Sequence, residues 1–253
     1  MLEQISLPRG ETGVCAIQSM DERLAILNSM PGTQRYIDCP VCRNKGVIAY
    51  ADGPYIGYRD CECMPKRRIM RRMHESGLES IIRDYTFASY RALEPWQADM
   101  LKRAQQYAAE PKGWWYVCGT PGTGKTHICT AICGALLKRG QDVRYMLWRE
   151  DVPRLKALIT DAEAYEAEMQ TLKDVGVLYI DDFLKGSVTD ADKNLAFELL
   201  NARYNRRAVT IISSERSIED VLDIDEGLGS RIHERAAGNT FRTAGGNWRL
   251  DHA

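Results

Sequence analysis

The stretch Gly119-Thr120-Pro121-Gly122-Thr123-Gly124-Lys125-Thr126 constrains this chain more than any other. It fills the pattern G-x-x-x-x-G-K-[ST] between the apolar run Trp114 to Cys118 and a helical stretch reaching Arg139. Glycines let the backbone turn so that successive N–H groups point at phosphate oxygens, and the following helix N-terminus adds partial positive charge. Lys125 has the reach for β- and γ-phosphates, and the Thr126 hydroxyl can ligate Mg²⁺. Strand, glycine turn and helix in that order also predict an α/β domain with a parallel sheet. We therefore expect all eight residues to form an ATP site.

Such a loop needs an acid at the end of a buried strand, and Val177-Leu178-Tyr179-Ile180-Asp181-Asp182 supplies two. Asp181 is expected to hold Mg²⁺, directly or through water, and Asp182 to orient or deprotonate the attacking water. Adjacent carboxylates could instead cap the next helix. Hydrolysis of ATP is the expectation.

Around these motifs the pattern predicts a helix over 95–109 and strands over 114–118, 143–148, 175–180 and 209–213. A further helix should begin at Thr189, where Thr189 and Asp192 resemble a capping box. Upstream, Val14, Ile17, Met20, Leu24 and Leu27 recur at helical spacing until Pro31-Gly32. That helix either packs on its own domain or meets a partner. A boundary between Gly77 and Asp84 would give domains of residues 1–83 and 84–253. Trp114-Trp115-Tyr116 reads as strand core, and Cys129 and Cys133, one helical turn apart, as buried thiols.

Cys39-Pro-Val-Cys42 and Cys61-Glu-Cys63 have the ligand spacing of a tetrahedral Cys₄ zinc site, with Gly46 able to turn an amide toward a thiolate. Gly53 and Gly57 suit a hairpin between the halves. So short a stretch has little apolar material of its own, which makes a structural Zn²⁺ the expected staple. Cys15 and Cys118 have no such spacing, and the four histidines are assigned no role. Lys66 to Arg72 holds five basic residues in seven. It could touch nucleic-acid phosphates or acidic protein surface, or be a solvated helix face.

Composition narrows the setting. With 34 Lys+Arg against 35 Asp+Glu, no global field draws the chain to nucleic acid, so any such contact must be local. No run approaches the roughly 18 apolar residues of a membrane helix, and MLEQISLPRGE lacks the layout of an export signal. Eight cysteines without such a signal argue for reduced thiols or metal ligands. The expected place is the cytoplasm, with no membrane partner.

In order, the chain carries the cysteine cluster, the basic run, Tyr85-Thr86-Phe87, GTPGTGKT, YIDDF, IISSE and GLGSRIHER. This order resembles the AAA+ helicase loaders of the DnaC/DnaI type and their IstB-type transposition relatives. The resemblance implies a P-loop AAA+ domain without a C-terminal lid behind a small helical, zinc-binding domain that docks a helicase. It implies an ATP-dependent homo-oligomer that helps place a hexameric replicative DNA helicase on single-stranded DNA, in the bacterial cytoplasm or, if phage-encoded, the host cytoplasm. Transposase recruitment on duplex DNA, or a nucleic-acid adaptor with little turnover, are the alternatives. By position it also implies that Ser214 senses the γ-phosphate, that Arg231 is a finger offered to a neighbouring subunit, and that Arg235 supports it or acts in its own subunit. Ion pairing with Glu226 and Glu234 is the structural alternative for both arginines. Asp182 stands where most such proteins have Glu, which implies slow turnover. Tyr145 and Trp148 are the candidates for stacking single-stranded bases.

Overall fold

A computed structural model describes residues 19–246. Val14, Cys15, Ile17 and His252 lie outside the described residues. The chain divides into two compact units, Met1–Arg67 and Arg68–Ala253. This division lies upstream of the expected 83/84 boundary. Leu78 and Ile82 account for the difference, because both are buried in the second unit's core, where Ile82 meets Gly134.

In the first unit, α1 (Met20–Ser29) starts at a capping box. The Ser19 side chain accepts from the Glu22 amide, and the Glu22 carboxylate accepts from the Ser19 amide at 2.9 Å. The side-chain amide of Asn28 donates to Ala49 O and accepts from Ala49 N, both at 2.9 Å, which docks α1 on β1 (Val47–Asp52). So this helix packs on its own unit. β2 (Tyr55–Asp60) returns antiparallel to β1, with Gly53 at φ 60° in the turn. Then α2 (Cys63–Glu75) begins.

The second unit continues with α3 (Pro95–Ala109), β3 (Trp114–Cys118), α4 (Lys125–Lys138), β4 (Val143–Leu147), α5 (Trp148–Ala157) and α6 (Ala162–Asp174). After these come β5 (Val177–Phe183), α7 (Asp190–Asn205), β6 (Val209–Ser214), α8 (Ile218–Ile224), α9 (Glu226–Arg235) and β7 (Thr240–Arg242). Every strand pair is parallel, and the order is β4-β5-β6-β3-β7. Because β3 runs between β6 and β7, its helical connection leaves toward β4 on the far side of β6 and β5. The crevice at the carboxyl end of β3 is therefore a topological switch point, the usual ligand position in such sheets.

Strand alternation feeds two cores, one on each sheet face. Trp114, Tyr116 and Cys118 join Leu178, Ile180, Ile212 and α7, while Trp115 and Val117 join Ile128, Ile132, Leu136 and Tyr179. The Trp-Trp-Tyr run is core, as expected, and Cys129 and Cys133 are buried beside it. Burial pushes the Cys129 thiol well up, so it stays protonated and apolar in behaviour. Among the described residues no helix is long and apolar enough to cross a membrane.

Candidate functional site

The Gly119–Gly124 loop leaves β3 through a backbone that only glycine accommodates. Gly119 has φ 133°, and a Cβ there would lie 2.2 Å from the Thr243 hydroxyl. That hydroxyl also meets Thr123 Oγ1 at 2.8 Å, so the segment after β7 clamps the loop. Gly124, left-handed at φ 86°, opens α4. Lys125 is buried, and its ammonium donates to the loop's own carbonyls, Gly119 O at 2.8 Å and Thr120 O at 2.7 Å. Burial lowers the proton affinity of Lys125. Two neutral carbonyls leave its charge available to an anion.

Asp181 ends the regular part of β5, 3% exposed. Its Oδ1 accepts from Thr126 Oγ1 at 3.2 Å and from Ser213 Oγ, and its Oδ2 accepts from Tyr145 OH at 3.2 Å. Burial and then the neighbouring Asp181 raise the proton affinity of Tyr145, which keeps that hydroxyl a donor. The pair Thr126 Oγ1 and Asp181 offers hard oxygen donors of the kind Mg²⁺ takes alongside phosphate and water. Register with β6 breaks between Ile180 and Phe183, and Asp182 sits at φ 54°. The break turns the Asp182 carboxylate out of the strand and into a 390 Å³ cavity that Gly122, Lys125 and Thr126 also line.

Two further charged residues line that cavity, Lys185 and Glu215. Lys185 Nζ lies 3.1 Å from Asp182 Oδ2 and 2.9 Å from Glu215 Oε1. The bond to Glu215, and after it the one to Asp182, raises the proton affinity of Lys185 despite partial burial. Sequence reading assigned neither residue a role; their positions, one turn after YIDD and directly after the β6 strand, are the signal that was there to use. An adjoining 210 Å³ cavity is lined by Tyr90, Arg91, Gly124 and His127. His127 stacks on Tyr85 with centroids 4.8 Å apart and bonds Thr86 O at 2.9 Å. Burial lowers its proton affinity. The Tyr85-Thr86-Phe87 segment thus reaches the loop through a histidine that was given no role.

Other expected site residues lie elsewhere. Ser214 is buried, donates to Phe183 O at 2.8 Å and accepts from Arg216 N, so it braces β6 to β5 and does not face the cavity. Thr120 lies on the loop's outer side, where its Oγ1 donates to Gly245 O at 3.1 Å, whereas Pro121 lines both that side and the 390 Å³ cavity. Neither Arg231 nor Arg235 lines the cavity. Arg231 donates to Asn201 Oδ1 at 2.9 Å and to Gly227 O at 2.7 Å, and it lies over the rings of Phe197 and Tyr204. Glu234 instead accepts from Tyr204 OH at 2.6 Å. The Arg235 Nε is buried and meets no hydrogen-bond acceptor among the described residues. Trp148 is not a base platform: it opens α5 and packs edge-on against Phe183 in the core. Tyr145 is engaged with Asp181 and the Tyr179 ring.

In the first unit the sulfurs of Cys39, Cys42, Cys61 and Cys63 lie within 4.8 Å of one another, all buried. Cys39–Cys61 and Cys42–Cys63 are 3.9 and 3.6 Å apart. A tetrahedral Zn²⁺ with bonds of about 2.3 Å sets its sulfurs about 3.8 Å apart, whereas a disulfide needs about 2.05 Å. The cluster is compatible with zinc. Gly46, at φ 82°, directs its amide to Cys42 Sγ at 3.3 Å. Burial opposes ionisation of Cys42, but that amide and the three neighbouring sulfurs outweigh it and pull the thiol down to about 6. Arg67, read earlier as part of a basic run, is 3% exposed and donates to Cys63 Sγ at 3.3 Å.

A family model described as IstB-like ATP binding protein matches residues 62–237. The uncharacterized protein YqaM of Bacillus subtilis (strain 168) is 31% identical over 211 residues, covering 77% of this chain and 66% of that protein. This chain thus spans just under two thirds of that relative's length. The replicative helicase loader DnaC of Escherichia coli (strain K12) is 25% identical over 172 residues, covering 66% of this chain and 69% of that protein. The crystal structure of DnaI superposes with a TM-score of 0.54 at 20% identity, covering 66% of this chain and 92% of that one, which is a likeness of fold.

Proposed function

This chain belongs to the IstB-like ATP-binding family, and from that premise we propose that it is an ATPase that loads a hexameric replicative helicase onto single-stranded DNA. The observation that carries the ATPase part is the junction of Thr126, Asp181 and Asp182 at the mouth of the Lys125 loop. Loop amides and Lys125 hold the β- and γ-phosphates, the ammonium exchanging its two carbonyl bonds for phosphate oxygens. Thr126 and Asp181 would hold Mg²⁺, which would supply charge neutralisation to the β- and γ-phosphates. Asp182, turned into the cavity by the break in β5, orients the attacking water. Arg231 serves the nucleotide of a neighbouring copy in an ATP-dependent homo-oligomer.

The helicase-docking part rests on the likeness to DnaC and on the zinc-compatible unit, which we assign to the client. The family model's own description favours a second reading, an IstB-like ATPase that recruits a transposase on duplex DNA. Pull-downs against the host helicase and against a transposase encoded nearby separate the two. For the ATPase itself, Asp182→Asn should bind ATP with near-normal affinity, because Asp181 and Thr126 are intact, while turnover falls about 10²-fold or more. Unaltered phosphate release by Asp182→Asn removes Asp182 from the water-orienting role.

A further inference from the structure

Lys185 is a cation between two acids inside the cavity where a γ-phosphate would lie. It bonds Asp182 at 3.1 Å and Glu215 at 2.9 Å. The turn that carries it is fixed: Lys185 N donates to Asp182 O at 3.1 Å, and Asp182 and Leu184 are both left-handed at φ 54°. Arg216 ties down the same turn, donating to Leu184 O at 2.8 Å and to Gly186 O at 2.7 Å. Only the Lys185 side chain is left to move, and it is 27% exposed.

The charges give this placement a consequence. Lys125 is bonded to neutral carbonyls, whereas Lys185 is paired with both carboxylates that line the cavity with it and offsets one of their two charges. An arriving γ-phosphate adds negative charge beside Asp182 and Glu215, which a further cation next to Lys125 would offset. The ammonium on a flexible four-carbon stem is such a cation, and ADP carries no γ-phosphate to recruit it. While Lys185 stays in place it holds Asp182 Oδ2 and fixes the direction in which that carboxylate points.

We propose that Lys185 is a γ-phosphate-dependent latch, which clamps Asp182 and Glu215 without ATP and moves onto the γ-phosphate when ATP binds. The move frees Asp182 to turn toward a water and makes the site prefer ATP over ADP. This rests on the ATPase reading above. The test measures affinity for a non-hydrolysable ATP analogue and for ADP in the full chain and three variants. Lys185→Met should lose about 10–100-fold in affinity for the analogue, the worth of a hydrogen bond between charged groups, with ADP affinity little changed. Lys185→Arg should restore most of the preference. The isosteric Glu215→Gln should act oppositely and tighten the analogue, because it removes one competitor for Lys185 and one repulsive charge. It also decides the matter if Lys185→Met melts early. An unchanged analogue-to-ADP ratio, or a shift of the same sign in Lys185→Met and Glu215→Gln, overturns the latch. A wild-type chain that binds neither nucleotide overturns the ATPase reading, and the latch with it.

Discussion

Arg67 is buried beside the four thiols, where it donates to Cys63 Sγ, Gln34 O and Asn44 Oδ1 at 3.3, 2.9 and 2.6 Å. Four thiolates around a dication leave net negative charge, so a fixed guanidinium offsets it while holding residues 34 and 44 over the cluster. Partners of this kind to metal ligands are worth about 10–100-fold in affinity. Arg67→Met should therefore shift the chelator concentration that strips zinc by about that factor, with Arg67→Lys intermediate because it lacks the fork. An unchanged chelator midpoint in Arg67→Met assigns the residue to packing alone. The same scale shows what a sequence can carry. Lys125, Thr126 and Asp181 are legible because local spacing and a strand end fix them. Arg67 reads as one of five surface charges, and Lys185 as a loop residue, because their partners come from other elements through register. Arg203 is the same case: fully buried, it donates to Leu172 O and Val175 O at 2.9 Å and to Thr210 Oγ1 at 3.0 Å.

At the scale of elements, the described residues of the first unit form a two-stranded hairpin, a largely exposed helix and little else beyond the cysteines. An isolated two-stranded hairpin is marginal in water. A Zn²⁺ held by the four cysteines would supply what is missing, at roughly 10–16 kcal/mol of apparent binding free energy in small peptides. Cys61→Ser should therefore unfold residues 39–63, seen as lost amide protection there, while the loop unit keeps nucleotide affinity. Protection of β1 and β2 that survives Cys61→Ser, or protein purified without chelator that carries no zinc, contradicts this. Elsewhere the alternation of β3, β5 and β6 was readable because all three are central and apolar. The start of α5 was not, although Trp148, Val152 and Leu155 have helical spacing, because Trp148 prolongs the apolar run of β4. The Asp151 carboxylate, accepting from Leu147 N at 2.8 Å, is what stops the strand there. β7 escaped because three residues carry no period; it is set by pairing with Tyr116 to Cys118.

For the whole molecule, the question is where a late positive charge comes from. Arg231 is held by Asn201, a carbonyl and two aromatic rings, with no carboxylate paired to it among the described residues. A guanidinium so oriented and so little neutralised is suited to an anion from outside, and its own cavity lies elsewhere. We propose that the anion is the γ-phosphate held by the next copy. Fingers of this kind contribute about 10³–10⁵ in rate by stabilising charge on the transferred phosphoryl group. Arg231→Ala should keep monomer ATP affinity yet lose hydrolysis and ATP-driven assembly. Lys125→Ala should lose productive ATP binding, since the ammonium that exchanges Gly119 O and Thr120 O for phosphate is gone. Mixing the two inactive proteins makes the sharper measurement. One retains an arginine without a competent loop, the other a loop without the arginine, so a fraction of mixed interfaces pairs two intact halves. Phosphate release should return in proportion to that fraction. Mixed assemblies verified by mass that stay silent place Arg231 in its own subunit or in packing between α7 and α9.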